Sequence, residues 1–186
     1  MPERIYEVSG QHNNTSFITE ATQEPVCPGC LNLKDKWSLA LQGKKIKRRN
    51  LDVSYTYDGF MVVSRRFLEL YRAHRLVGLR INPLPDDREF AVVRPTESVP
   101  FDEEATLTEY EDQCPVCGQW DSITCVDPIY VRKSARVEPG SFVRTDFEFA
   151  THEEKTPIVI CREHVREILE AGDLKGLVTN EVFFGH

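Results

Sequence analysis

Cys114-Pro115-Val116-Cys117-Gly118 is a CPxCG turn, and Cys27-Pro28-Gly29-Cys30 is its earlier, imperfect echo, followed by Leu31 instead of glycine. In a CxxC turn the two intervening residues let both sulfurs face one tetrahedral ion, and two such turns complete a four-thiolate shell. Proline at the second position stiffens the loop. Glycine after the second cysteine permits the positive φ that turns backbone amides toward sulfur. The spacing therefore predicts one structural Zn²⁺ per chain, held by Cys27, Cys30, Cys114 and Cys117. Four reduced cysteines without metal are the plain alternative. A thioredoxin-like pair would require a CPxC that opens a helix and lowers a thiol pKa, and neither does.

The chain has 186 residues, enough to bury a core without a metal, so a metal acts here as local glue. Apolar residues at 40%, charged residues at 28% and aromatics at 10% describe an ordinary globular protein and exclude wholesale disorder. Six cysteines are too sparse for a disulfide scaffold. The start, Met1 to Tyr6, has no apolar stretch of a signal peptide, and no segment has the ~18 apolar residues of a membrane span. A cytoplasmic protein with no membrane partner is expected. A net charge of −7 disfavours a general nucleic-acid binder and suits solubility or a basic partner.

Outward from the two turns, residues 3 to 9 alternate as a strand and residues 10 to 16 form a loop. Trp37 to Leu41 and Leu51 to Tyr55 read as strands, with Gly43 as a joint. Asp58-Gly59 marks a turn before a buried strand, Phe60 to Val63. Ser64 caps a helix whose Phe67, Leu70, Tyr71 and His74 share one face. Leu76 to Ile81 is extended. Residues 86 to 105, rich in proline and acids, read as a linker around one strand, Phe90 to Val93. In the second half, Ile123 to Val131 is strand broken at Pro128, and Ser134 to Glu154 is irregular. Thr156 to Ile160 is again a strand, Val165, Ile168 and Leu169 line a helix, and Gly172 ends it.

Val63-Ser64-Arg65 aligns with Ile160-Cys161-Arg162, and Leu76-Val77-Gly78-Leu79 with Leu174-Lys175-Gly176-Leu177 after a one-residue insertion. The expected fold is thus a single compact α+β domain over 1–186 with two pseudo-repeats, 1–85 and 106–186, joined by the linker. Each half holds a CPxC turn, mostly antiparallel strands and a strand-helix-strand unit, around a shared zinc-ribbon-like hub.

With both turns and this ending in view, the chain resembles the double-CxxCG motif family, first noted as a set of paralogues in myxobacteria. The resemblance runs through Ile5-Tyr6-Glu7, Val26-Cys27-Pro28-x-Cys30, Cys114 to Gly118, Asp127-Pro128-Ile129 and the closing Thr156 to Phe183. Leu31 departs from the pattern. Some members are immunity proteins that protect a cell from a toxin exchanged with its kin. The resemblance implies a non-enzymatic antidote that binds a cognate toxin.

Three further features bear on function. The acids Asp102, Glu103, Glu104, Glu109, Glu111 and Asp112 precede the second CPxC turn and would steer a basic partner; a solvated linker is the plain reading. The run Lys44-Lys45-Ile46-Lys47-Arg48-Arg49 offers cations for phosphates, and underlies the alternative of a zinc-ribbon-like module binding nucleic acid or protein. No alternating aromatics accompany it as on a stacking platform. Cys161, with His164 three residues on, is the one nucleophile to weigh for a redox or hydrolytic enzyme, against burial as a small core residue.

Overall fold

The computed structural model describes residues 4–19 and 25–185; Glu3, where the expected first strand begins, lies outside them. The described chain is a mixed α+β fold of twelve strands in one sheet and two α-helices. The first segment is β1 (Ile5–His12), followed by β2 (Val53–Tyr55), β3 (Met61–Ser64), helix α1 (Arg65–Ala73) and β4 (Leu79–Pro83). The next strands are β5 (Phe90–Pro95), β6 (Ser98–Val99), β7 (Glu109–Gln113), β8 (Trp120–Thr124) and β9 (Tyr130–Val131). A long β10 (Phe142–Thr151) leads through β11 (Thr156–Arg162) into helix α2 (Glu163–Ala171) and β12 (Leu177–Phe184).

The strands form one branched path. β1 runs parallel to β2, β2 antiparallel to β3, and β3 antiparallel to β5. Two residues beyond β5, β6 runs parallel to β10, which pairs antiparallel with β11, and β11 pairs back with β1. β4 lies along β5, and β12 along β1. The first strand of the chain therefore sits between β11 and β12, near the end of the sequence, while β5 sits between β3 and β4.

The two strand-helix-strand segments keep one constant offset, with helix starts at 65 and 163 and following strands at 79 and 177. Their hydrogen bonds match as well. Arg65 N–H donates to the Glu89 carbonyl at 2.8 Å, and Glu163 N–H to the Arg4 carbonyl at 3.2 Å. Thr96 N–H bonds Gly78 O at 2.8 Å as Gln11 N–H bonds Gly176 O at 3.2 Å. Gly78 (φ 92°) and Gly176 (φ 84°) are left-handed, and a Cβ there would lie 2.3 Å from Phe142 O and 2.6 Å from Val53 O respectively. Only glycine meets both demands.

This register corrects the expected alignment by one residue. Ser64 caps α1, its Oγ accepting the Phe67 N–H at 3.3 Å, but the corresponding cap of α2 is Arg162, which makes no side-chain cap bond. Cys161 instead matches Val63, and both are 0% exposed in the central core. The apparent insertion vanishes.

The core has three parts. Val63, Phe67, Tyr71, Phe142, Cys161, Val165 and Leu169 fill the centre, beneath both helices. Residues 13–19 and 25–50 cover the outer face of β2, β3 and β5, burying Phe17, Leu39, Ile46 and Phe60. Residues 100–137 cover β1, β10 and β11, burying Phe101, Ile123, Ile129 and Val131. Burying one phenylalanine contributes about 2–3 kcal/mol, so each covering is held by its own apolar contacts.

Two stretches differ from expectation. Between Trp37 and Arg49 there is a short 3-10 turn, Lys36–Ser38, and no strand. The backbone is tied by side chains instead: Asp87 accepts the Ile46 N–H at 3.1 Å, and Thr15 Oγ1 accepts the Lys47 N–H at 3.0 Å. Conversely, the stretch read as irregular contains ten-residue β10. Residues 86 to 105 hold β5 and β6.

Candidate metal centre

The two CPxC turns lie one in each covering, and the fold brings them face to face. Cys27 Sγ is 3.8 Å from Cys114 Sγ, Cys30 Sγ is 3.7 Å from Cys117 Sγ, and all four sulfurs lie within 4.8 Å of one another. A tetrahedron with metal–thiolate bonds of ~2.3 Å has edges of ~3.8 Å. These distances are far beyond the ~2.05 Å of a disulfide, and all six cysteines are free. The donor set fits a metal ion with four protein ligands.

Each turn is built by the same backbone bonds. Cys27 O accepts the Leu31 N–H at 2.8 Å and Cys27 N–H donates to Asn32 O at 2.9 Å; Cys114 O accepts the Gly118 N–H at 2.9 Å and Cys114 N–H donates to Gln119 O at 2.8 Å. Leu31 adopts φ 64°, beside φ 73° for Gly118. The missing glycine has not changed the turn. The tips interlock closely: a Cβ on Gly29 would stand 2.7 Å from Val116 Cγ2 and 3.1 Å from Cys114 Sγ.

The amides aim at sulfur. Backbone N–H groups of Cys30 and Gly29 hold the Cys27 thiol down at about 6, and those of Cys117 and Val116 lower Cys114. Cys30, although favoured as a thiolate by the Asn32 amide, is pushed up to about 12 by burial and the neighbouring thiols. Four thiolates this close repel one another, and a bound cation removes that penalty. Cys27 and Cys114 are buried, Cys30 is half-buried and Cys117 faces solvent.

Lys36, which the sequence does not single out, anchors the first covering beside this centre. Its ammonium donates to Asp58 O at 3.0 Å, to Glu153 O at 3.2 Å and to Lys155 O. Burial lowers its pKa to about 8. Three N–H groups meet three carbonyls, which accounts for a lysine in this place.

The acidic residues divide by position. Glu104, Glu109, Glu111 and Asp112 are exposed, the last three on β7, which ends the main strand path. Asp102 accepts the Ala105 N–H at 3.1 Å, and Glu103 accepts the Tyr110 hydroxyl. In the basic run, Arg49 pairs with buried Asp87 at 2.5 Å, Lys44 donates to Phe17 O and Ile46 is buried, whereas Lys45, Lys47 and Arg48 are exposed. Cys161 is fully buried, and burial pushes its thiol up to about 12, while His164 is exposed. The pair does not form a reactive dyad. Half-buried Cys125 is likewise raised, to about 11, by burial and by Asp127 and Glu7.

No family model matches the chain, and no curated protein matches it. No helix among the described residues is long and apolar enough to cross a membrane. The class defined here is a mixed α+β protein whose two coverings meet at a four-cysteine cluster.

Proposed function

We propose that this chain is a non-enzymatic immunity protein of the double-CxxCG type, cytoplasmic, that binds one Zn²⁺ at Cys27, Cys30, Cys114 and Cys117 and neutralises a cognate toxin by direct contact. The observation that carries the zinc is the sulfur geometry. With four protein ligands the site leaves no open position for substrate or water, which suits a structural ion. The toxin-binding reading rests on the motif resemblance and gains support from the exposed acids Glu104, Glu109, Glu111 and Asp112, a surface suited to a basic partner. The constant offsets favour two similar halves, 5–83 and 90–184, each a first strand, a CPxC-bearing covering, two strands, a helix and a last strand, with the first strands exchanged.

An immunity gene should lie beside a larger toxin gene, and the decisive test is co-expression with the product of such a neighbour. Rescue of growth, lost on charge reversal at Glu109, Glu111 and Asp112, is expected. Absence of rescue together with a mobility shift on DNA or RNA would sink the immunity reading in favour of a zinc-ribbon-like nucleic-acid module. Purified protein should contain close to one zinc per chain by elemental analysis.

A further inference from the structure

Where β1 parts from β11 and crosses to β2, the strands leave a cavity of about 290 Å³, away from the cysteines. Its walls include Glu7, Ser9, His12, Tyr55, Tyr57 and Phe149. Two observations there are independent of each other.

The first is a carboxylate with no paired cation among the described residues. Glu7 takes one hydrogen bond, from Asn180 Nδ2 at 3.0 Å, and burial, despite that bond, raises its pKa, with Asp127 adding to the effect. The cavity wall carries a second acid, Glu154, and among the described residues no lysine or arginine. The second is a phenol without a partner. Tyr55 is 8% exposed, and among the described residues its hydroxyl has no hydrogen bond, although it lines the cavity. Ala150, on the same wall, holds φ 108°, a left-handed backbone conformation that side-chain-bearing residues rarely adopt.

An anionic occupant would face two acids. A neutral apolar one would desolvate Glu7 with nothing in return. A cation pairs with Glu7, donates to the Tyr55 oxygen and lies against the aromatic wall formed by Phe149 and by Tyr57, which stacks on His12 at 5.2 Å. We propose that this cavity is a binding site for an alkylammonium or guanidinium group. Such a group comes either from a free amine or from a lysine or arginine side chain of a partner protein. The site goes beyond the immunity reading and does not depend on it.

The test is a titration of the full-length, zinc-loaded, ¹⁵N-labelled protein with n-butylammonium, n-butylguanidinium and, as a neutral control, n-butanol. Saturable shifts of the Gly10, Thr56, Gly59 and Ala150 amides are expected with the two cations and not with butanol. Glu7→Gln should weaken the cations by more than about tenfold, the loss of one charged partner. Tyr55→Phe should weaken them a few-fold and serves as the second variant. Both should keep the wild-type spectrum elsewhere. Shifts that do not saturate, equal response to butanol, or unchanged affinity in Glu7→Gln would overturn the site. A capped peptide with a single arginine binding more tightly than agmatine assigns the site to a partner protein; the reverse order assigns it to a free amine.

Discussion

Leu31 is where the sequence and the fold pull in opposite directions. Its φ of 64° places a branched apolar residue in the left-handed region, at a cost of about 1–2 kcal/mol for an L-residue. Its side chain is 69% exposed, so little burial offsets that strain. Gly118 holds the equivalent place at φ 73° with open space around it. Leu31→Gly should therefore stabilise the zinc-loaded protein by about 1 kcal/mol after the extra freedom of glycine in the unfolded chain is subtracted. Thermal unfolding should move up by about 2–4 °C for a chain of this size, and β-branched Leu31→Val should move it down. An unchanged midpoint in both would mean that the turn relaxes around whatever residue it is given. At this scale the sequence was a good guide to the four-cysteine cluster and a poor one to the departure: CPxC spacing names the four cysteines that the fold brings together, but a neighbour's tolerance of positive φ depends on the surrounding bonds, here those of Cys27 O and Asn32 O.

The coverings are the elements that the four-cysteine cluster brings together. Each has its own apolar core, around Phe17 and Phe60 on one side and Phe101 and Ile123 on the other, so an ion held by the cysteines would add a link between them and would not be the source of either. A cross-link closing a loop approaching a hundred residues restricts the unfolded chain by about 4 kcal/mol. Removing zinc with a chelator should lower the unfolding midpoint by roughly 10 °C, leave the far-ultraviolet circular dichroism nearly intact, and expose residues 25–34 and 107–119 to protease. Readdition of zinc should reverse all three, and Cys27→Ser or Cys114→Ser should mimic them. Collapse of the whole spectrum on chelation would show that the coverings cannot stay docked by their own contacts. These elements were also the least legible. Helices α1 and α2 announce themselves by period and, in α1, by the Ser64 cap. β10 alternates Val143, Thr145, Phe147 and Phe149 with Arg144, Asp146 and Glu148, a period-two signal that is present in the sequence and is missed when Ser134 to Glu154 is read as irregular. Residues 37–49 form no strand, and the Ile46 and Lys47 amides are satisfied by Asp87 and Thr15, partners that no local pattern reveals.

Across the whole molecule the governing fact is the place of the first strands. Local strand-helix-strand units were legible because they are contiguous; the pairing that seats β1 between β11 and β12 is not, since strands from opposite ends of the sequence leave no local trace of each other. It has a direct consequence for folding. A chain ending at residue 85 lacks β5, leaving the β3 edge that β5 covers and the β4 edge without partners, and its own β1 would expose Ile5 and Val182's vacant place. A chain beginning at residue 86 lacks β1, so β11 and β12 lose the strand between them. Unpaired edges and half a central core do not repay chain entropy. Fragments 1–85 and 86–186 should therefore each be unfolded alone by circular dichroism, and on mixing with zinc should form one complex that melts in a single transition and binds one zinc per pair. The cut falls between Pro85 and Asp86, exposed residues in the turn after β4. If either fragment folds alone with a cooperative transition, the central core that both helices share, with Phe67 and Tyr71 of α1 within 6.2 Å and 6.0 Å of Phe142, is not the unit of stability. If both stay unfolded after mixing, the exchanged strands are needed earlier, as one covalent chain, to bring the two CPxC turns together.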